Sequence, residues 1–177
     1  MIWLQIGIDD TDSPFRGCTT YIASVLVERL SQLGGRFFDY PNLIRLNPNI
    51  PWKTRGNGAI CLRLFIDEDK YDAVVEEVLE TIEKESDFTF PKTDPGVVFY
   101  LGKKIPLEIR KFARKTIQDV VKKEAALKLI KHCKAEAIGY KDGRGIIGAI
   151  AAIGETLDKD YTYEFIAYRT LKNRGTP

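Results

Sequence analysis

The chain has 177 residues, enough for one large domain or two small ones with a hydrophobic core. A net charge of +2 and 44% hydrophobic residues argue against a disordered chain and do not by themselves indicate a nucleic-acid-binding protein. No apolar run is long enough to span a membrane, and the first residues show no signal-peptide pattern. Three widely spaced cysteines without a CxxC motif predict a reducing cytoplasm and argue against a zinc site, and the single histidine argues against a His-rich centre.

The chain opens with a predicted strand, because apolar residues alternate with a period of two from residue 2 to residue 8. An acidic loop follows, with three carboxylates in four positions: Asp9, Asp10 and Asp12. Residues 18–33 then place their apolar side chains on one helical stripe, which ends at Gly34-Gly35. A strand therefore leads through an acidic loop into a helix N-terminus.

This junction predicts a site for a metal and a nucleotide. Carboxylates crowded at a strand end repel each other unless a cation neutralises them, and oxygen ligands of this kind suit Mg²⁺ shared with nucleotide phosphates. The unpaired N–H groups of the helix that begins near Cys18 and Thr20 attract anions. The alternative is an ordinary capped turn, since Asp and Ser are common turn residues.

The next elements predict an α+β fold. Residues 37–46 are expected to be extended with an interruption near Pro41, and residues 47–52 form a loop. A strand at 60–66, an amphipathic helix at 71–82 and a short buried strand at 97–101 follow. This order is that of a ferredoxin-like, split βαβ antiparallel sheet with both helices on one face.

The pattern changes near residues 102–106. Residues 106–138 are predicted to be helical with a break near Lys123, followed by a turn at 142–145, a buried helix at 146–157 and a strand at 161–168. We therefore expect an α+β domain at 1–104 that carries the acidic loop. A helix-rich segment with a terminal strand follows at 105–177 and can belong to the same catalytic unit.

A second candidate loop is PWKTRGNG at residues 51–58. Lys53 and Arg55 supply positive charge, and Gly56, Asn57 and Gly58 let the backbone come close to a ligand, which suits phosphate binding. A hairpin loop with Asn57-Gly58 at its turn explains the same residues equally well.

A third candidate is KDGRGIIG at residues 141–148. Lys141, Arg144 and Gly145 precede an apolar helix whose N-terminus could hold an anion. The motif is neither a P-loop nor a dinucleotide fingerprint. Its alternative explanation is a glycine turn that allows close helix packing.

Basic residues are numerous between Lys103 and Lys134, where acidic residues are few. A cationic helical face could contact the backbone of RNA, which is the basis of the alternative hypothesis that the chain is a non-catalytic RNA-binding module. A solvated lysine face is the commoner origin of such a run.

Four stretches together resemble a known family: GIDDTDSPFRGCTTY, LIRLNPNIPWKTRGNGA, KDGRGIIGAIAAIG and the closing FIAYR…GTP. In the same order, and over nearly the whole chain, they look like the N-terminal half of the archaeal tRNA(Ile)-2-agmatinylcytidine synthetase. The resemblance implies an ATP-dependent enzyme that joins agmatine to the wobble cytidine of tRNA(Ile) through a phosphorylated cytidine, releasing AMP and pyrophosphate. It also implies a kinase domain first and a ferredoxin-like domain second, the reverse of what the strand order suggests.

The resemblance assigns roles to particular residues. Asp9, Asp10 and Asp12 correspond to the acidic cluster that handles Mg²⁺ and ATP, and Thr19 to a threonine that becomes phosphorylated. The two basic glycine loops correspond to phosphate-binding loops. Thr19 could instead cap its helix, a role whose loss typically costs ~1 kcal/mol.

The resemblance further implies an OB-fold domain and a zinc ribbon that hold the tRNA. Neither has a counterpart in these 177 residues, so we expect them in a longer version of the chain or on another chain.

Overall fold

A computed structural model of the protein describes residues 1–54, 56–158 and 160–164, and its core is a six-stranded antiparallel sheet. The strands are β1 (Ile2–Asp9), β2 (Arg36–Phe37), β3 (Asn42–Arg45), β4 (Gly58–Ile66), β5 (Gly96–Leu101) and β6 (Glu136–Gly139). The helices are α1 (Thr19–Gln32), α2 (Tyr71–Glu85), α3 (Leu107–Gln118), α4 (Lys123–His132) and α5 (Ile146–Gly154), with a 3₁₀ turn at Glu68–Lys70.

The strand order confirms the predicted ferredoxin-like arrangement. The order is β2-β4-β1-β5-β6, and β3 also pairs with β4. Helices α1 and α2 cover one face, where apolar side chains of β1 such as Leu4 and Ile6 pack against Leu26 and Val78. The period-two alternation of β1 explains this packing, because every second side chain points to the same face.

The opposite face is covered by α3, α4 and α5. Helix α5 is buried almost all round, as its apolar composition predicts. It lies so close to the sheet that a Cβ at Gly7 would come within 2.0 Å of the Ala149 carbonyl oxygen. Side chains of β4 and β5 share a second core with α3 and α5. The division into 1–104 and 105–177 stays a prediction, but both parts contribute to this core.

Two sequence predictions near the end of the chain need correction. Residues 136–138, expected to be helical, belong to β6, which pairs with the edge of β5 from Glu136 opposite Phe99 to Gly139 opposite Gly96. Pairing with a sheet edge here outweighs local helix preference. Residues 161–164 have no regular secondary structure, although a strand was expected from 161, and residues 165–168 lie outside the described residues.

The predicted break near Lys123 is confirmed by the loop between α3 and α4. Among the described residues, no helix has the length and apolar character needed to cross a membrane.

We expect the substitution Gly7→Ala to lower the free energy of unfolding by about 3 kcal/mol or more, because the new methyl group would collide with the backbone of α5 rather than with a movable side chain. Urea denaturation measures the change. Gly56→Ala is the matched control, since its new Cβ would approach only the end of the Arg45 side chain, at 3.2 Å. Equal losses in both variants would contradict the close packing of α5 on β1.

Candidate functional site

A cavity of about 350 Å³ opens where β1 ends, α1 begins and the turn before α5 passes. Most of the residues singled out in the sequence line it: Asp9, Asp10, Asp12, Cys18, Thr19, Thr20, Lys53, Gly56, Asn57, Gly58 and Arg144. The fold therefore brings three stretches that are far apart in the sequence to one cavity.

Asp10 and Arg144 form the central ion pair of the cavity. The Arg144 Nη2 and Nε atoms donate to Asp10 Oδ2 at 2.7 and 3.1 Å. The Nη2 atom also donates to the Lys92 carbonyl oxygen at 2.7 Å. Hydrogen bonds between charged groups are short and strong, so this pair ties the acidic loop to the turn before α5.

Asp94 holds this arrangement together, and the sequence reasoning missed it. Its buried carboxylate accepts a hydrogen bond from the Gly143 N–H at 2.6 Å and lies 3.9 Å from Arg144 Nη1. Its carbonyl oxygen accepts from the Gly145 N–H, and its own N–H donates to the Asp10 carbonyl oxygen. The stretch Thr93-Asp94-Pro95-Gly96 resembles an ordinary turn, so only the long-range contacts reveal the role of Asp94.

The acidic loop lacks full charge compensation. Burial raises the pKa of Asp9 well above its ordinary value, and the charges of Asp10 and Asp12 raise it further. Burial also raises the pKa of Asp10 to about 7, although Arg144 opposes the shift. A cation or a cationic group that entered the cavity would stabilise the ionised carboxylates.

The backbone presents Asp10 in an unusual conformation. Asp10 has a φ of 59°, in the left-handed region that non-glycine residues seldom adopt. Such a conformation costs free energy and persists only where its surroundings enforce it. Here the Arg144 bonds and the hydrogen bond from the Asp94 N–H fix it.

Thr19 occupies the first position of α1 and is nearly buried, with 7% of its surface exposed. Its Oγ1 lies 2.9 Å from Thr11 Oγ1, and Thr11 donates its own hydroxyl hydrogen to the Gly17 carbonyl oxygen. The Thr19 hydroxyl therefore donates to Thr11. Thr19 is one of the residues that line the cavity, and the alternative that it caps α1 stays open.

The loop at residues 51–58 forms the opposite wall. Asn57 donates from its side chain to the Asn47 carbonyl oxygen at 2.6 Å, and Lys53 Nζ donates to the Pro48 carbonyl oxygen. These bonds fold the loop back on residues 47–48 and leave Gly56 and Gly58 at the cavity. Arg55 lies outside the described residues.

Two predicted phosphate contacts, Lys141 and Gly145, are not among the described residues that line the cavity. Lys141 Nζ donates to the Phe90 carbonyl oxygen at 2.8 Å. A Cβ at Gly145 would lie 2.4 Å from the Gly96 nitrogen, so this glycine serves close packing of the turn on β5. Their contact with phosphate stays a prediction.

Comparison with known proteins supports the sequence resemblance. A family model described as the TiaS TCKD domain matches residues 5–142, and one described as the TiaS FLD domain matches residues 143–177. The tRNA(Ile2) 2-agmatinylcytidine synthetase TiaS of Pyrococcus horikoshii is 47% identical over 171 residues, which are 97% of this chain and 40% of that protein. The enzyme of the same name from Archaeoglobus fulgidus is 41% identical over 175 residues, 99% of this chain and 40% of that protein.

Solved structures agree with the fold. A crystal structure of a TiaS–tRNA(Ile2)–ATP complex matches with a TM-score of 0.90 and 40% identity, over 99% of this chain and 41% of that one. A TiaS–tRNA(Ile2)–AMPCPP–agmatine complex matches with a TM-score of 0.81 and 36% identity, over 90% of this chain and 38% of that one. The chain thus spans about two fifths of the length of the relatives it matches.

The raised pKa of Asp10 predicts a pH dependence of stability. Because the folded chain holds this proton up to about pH 7, whereas the ordinary value is 3.8, the folded state binds more protons between these values. The free energy of unfolding should therefore fall as the pH rises through this window. Urea denaturation at a series of pH values should show a flatter profile for Asp10→Asn than for the wild type. Parallel profiles would contradict the assignment of the slope to Asp10.

Proposed function

The chain belongs to the TiaS family, and on this premise we propose that it is the ATP-dependent catalytic part of a tRNA(Ile2) 2-agmatinylcytidine synthetase. Its substrates would be ATP, agmatine and tRNA(Ile), with agmatine joined to the wobble cytidine. The observation that carries the proposal is the single cavity in which the acidic loop, the α1 N-terminus and Arg144 meet. Negative carboxylates beside anion-attracting groups suit a nucleotide that brings its own cation.

The phosphates of ATP fit between α1 and the basic groups of the cavity. The first backbone N–H groups of α1, around Thr19 and Thr20, have no partners within the helix and attract negative charge. Lys53 and Arg144 line the same cavity and would offset charge that develops during phosphoryl transfer. We assign the same role to Arg55, which follows Lys53 in the sequence.

The donor set of the cavity fits Mg²⁺ as a companion of the nucleotide. The described residues contain no group of three His, Cys, Asp or Glu side chains arranged to hold a metal by themselves. Mg²⁺, however, is usually held by one or two carboxylates together with phosphate oxygens and water. Asp9, Asp10 and Asp12 supply such carboxylates. The pKa values of Asp9 and Asp10 are raised, and a cation bound beside them would lower these pKa values and favour the ionised carboxylates. When bound, the ion would neutralise phosphate charge.

Thr19 is the proposed phosphate acceptor of the cavity. Transfer of the terminal phosphoryl group would form a bond between phosphorus and Thr19 Oγ1, break the bond between phosphorus and the bridging oxygen of ATP, and pass the hydroxyl proton to solvent. This step leaves ADP, so it is distinct from the overall release of AMP and pyrophosphate that the resemblance implies. The bond between Thr19 and Thr11 orients this oxygen at the helix N-terminus. A phosphate at that position is stabilised by the helix dipole.

The RNA-binding module is not favoured as an alternative. The matched relatives carry the name of a synthetase, and the acidic loop, the 51–58 loop and Arg144 line one cavity, which supports a nucleotide site. Some basic residues of 103–134 are also engaged within the protein: Arg110 pairs with Asp158 at 3.1 Å, and Lys123 Nζ donates to the Asp142 carbonyl oxygen. The OB-fold and zinc-ribbon domains implied by the resemblance would supply the remaining tRNA contacts, in cis or on another chain.

Calorimetric titration with ATP tests the nucleotide site. We expect Mg²⁺ to strengthen ATP binding to the wild type and to have a much smaller effect on Asp10→Ala, because that variant lacks a carboxylate of the acidic loop. Asp69→Asn, on the 3₁₀ turn away from the cavity, is the control and should behave like the wild type. Equal ATP binding by wild type and Asp10→Ala, with and without Mg²⁺, would rule out this site.

Mass spectrometry after incubation with Mg²⁺ and ATP tests the role of Thr19. The wild type and Thr19→Ser should gain one phosphate, mapped by peptide analysis to residue 19, and Thr19→Ala should gain none. Thr20→Ala is the matched control, because it changes the neighbouring hydroxyl and should still be phosphorylated. A wild type that binds ATP but gains no phosphate would show that Thr19 is not an acceptor in this chain.

A further inference from the structure

The loop between the acidic residues and α1 presents an aromatic ring to solvent. Phe15 is 81% exposed, the highest fraction among the large apolar side chains in the described part of the chain. It lies at the tip of residues 13–17, which we call the Phe15 tip. Asp12 and Cys18, on either side of the tip, both line the cavity. Phe15 is therefore three residues away along the chain from a lining residue on each side, although it is not itself one of the lining residues.

The backbone of the Phe15 tip is tightly folded. The Ser13 N–H donates to the Arg16 carbonyl oxygen at 2.8 Å, and Ser13 Oγ accepts from the N–H groups of Phe15 and Arg16 at 3.0 and 3.1 Å. Gly17 closes the turn with a φ of 75°, and a Cβ there would lie 2.4 Å from the Thr11 carbonyl oxygen. The turn conformation is thus fixed at both ends.

Arg16 anchors the tip to α2. Its Nη2 donates to the Lys84 and Ser86 carbonyl oxygens, at 3.0 and 3.2 Å. A cation at the C-terminal end of a helix also interacts favourably with the helix dipole. The exposed side chain of Arg16 thus ties the tip to the end of α2, while the Phe15 ring is exposed on an ordered backbone.

We propose that the Phe15 ring is a stacking platform for an unpaired base that neighbours the target cytidine in the RNA substrate. This inference depends on the proposed function. A cytidine that enters the cavity must leave its stacked neighbours, which then lose a stacking partner. An aromatic ring on a fixed backbone replaces that partner at little entropic cost, and it accepts any base because every base has a π face.

RNA suits the Phe15 tip better than a protein partner does. Stable protein interfaces need a contiguous surface of several hundred Å², whereas a single ring is enough to stack one base. Trp52, which is 38% exposed, lines the cavity on the loop opposite and adds a second aromatic ring near the place where a base would enter.

The test uses an RNA stem-loop with the target cytidine in its loop and 2-aminopurine at a position next to it. Phe15→Ala should weaken RNA binding roughly 5- to 150-fold, the equivalent of about 1–3 kcal/mol for one stacked base. It should also abolish the quenching of 2-aminopurine fluorescence by the protein. Phe15→Trp should restore both, and Phe15→Leu should restore neither, because leucine is apolar but has no π face.

Two controls make the result specific. Leu107→Ala removes another exposed apolar side chain, 60% exposed at the start of α3, and should leave RNA binding unchanged. ATP affinity, measured in parallel, should be the same in all Phe15 variants. Unchanged RNA binding by Phe15→Ala, or the absence of RNA binding by the wild type, would overturn the stacking role. If ATP binding is intact in the same variants, the proposed nucleotide site is unaffected by that result. Full rescue by Phe15→Leu would also overturn it, because an apolar side chain without a π face would then be sufficient for RNA binding.

Discussion

The close approach of α5 to the sheet is the constraint on which the site depends. The backbone of α5 and of the turn before it lies directly against Gly7 of β1 and Gly96 of β5. A Cβ at either glycine would come within 2.0 Å of a backbone atom. Protein interiors are packed too densely to absorb such an overlap without movement of backbone. Because α5 can lie this deep, the turn before it reaches the end of β1, and Arg144 reaches Asp10.

Electrostatics at the site follow from this geometry. Burial at the junction raises the pKa values of Asp9 and Asp10, and Arg144 offsets only part of the effect. Asp94 contributes by holding the turn in place through its carboxylate, its carbonyl oxygen and its N–H. The cavity thus has buried carboxyl groups that bind protons more readily than usual beside the N-terminus of α1, and a cation that entered it would favour their ionised forms.

Much of this could be predicted from sequence, because it depends on local patterns. The alternation of apolar residues in β1 and the apolar faces of α1 and α2 indicate directly which side chains are buried. These patterns were sufficient to predict the ferredoxin-like strand order. What depends on distant pairing could not be predicted. Residues 136–138 form a strand only because β5 offers an open edge, and Asp94 matters only because Gly143 and Gly145 fold onto it. The motifs at 51–58 and 141–148 both contribute residues to the cavity, but Lys141 contacts the Phe90 carbonyl oxygen, and phosphate binding by these loops stays a prediction.

The pairing of Asp10 with Arg144 spans 134 positions of sequence, and it has a consequence for how the protein is made. During synthesis the acidic loop leaves the ribosome long before the residues of α5, and β1 has one bare face until α5 arrives. The two family models meet between residues 142 and 143, whereas the cavity needs Arg144 and the second core needs α5. A nascent chain that stops at that boundary would have both helices of the first face but no assembled cavity. The cavity can therefore assemble only once the chain has been extended beyond Arg144 and α5, and a ribosome that pauses before that point carries the acidic loop without its partner.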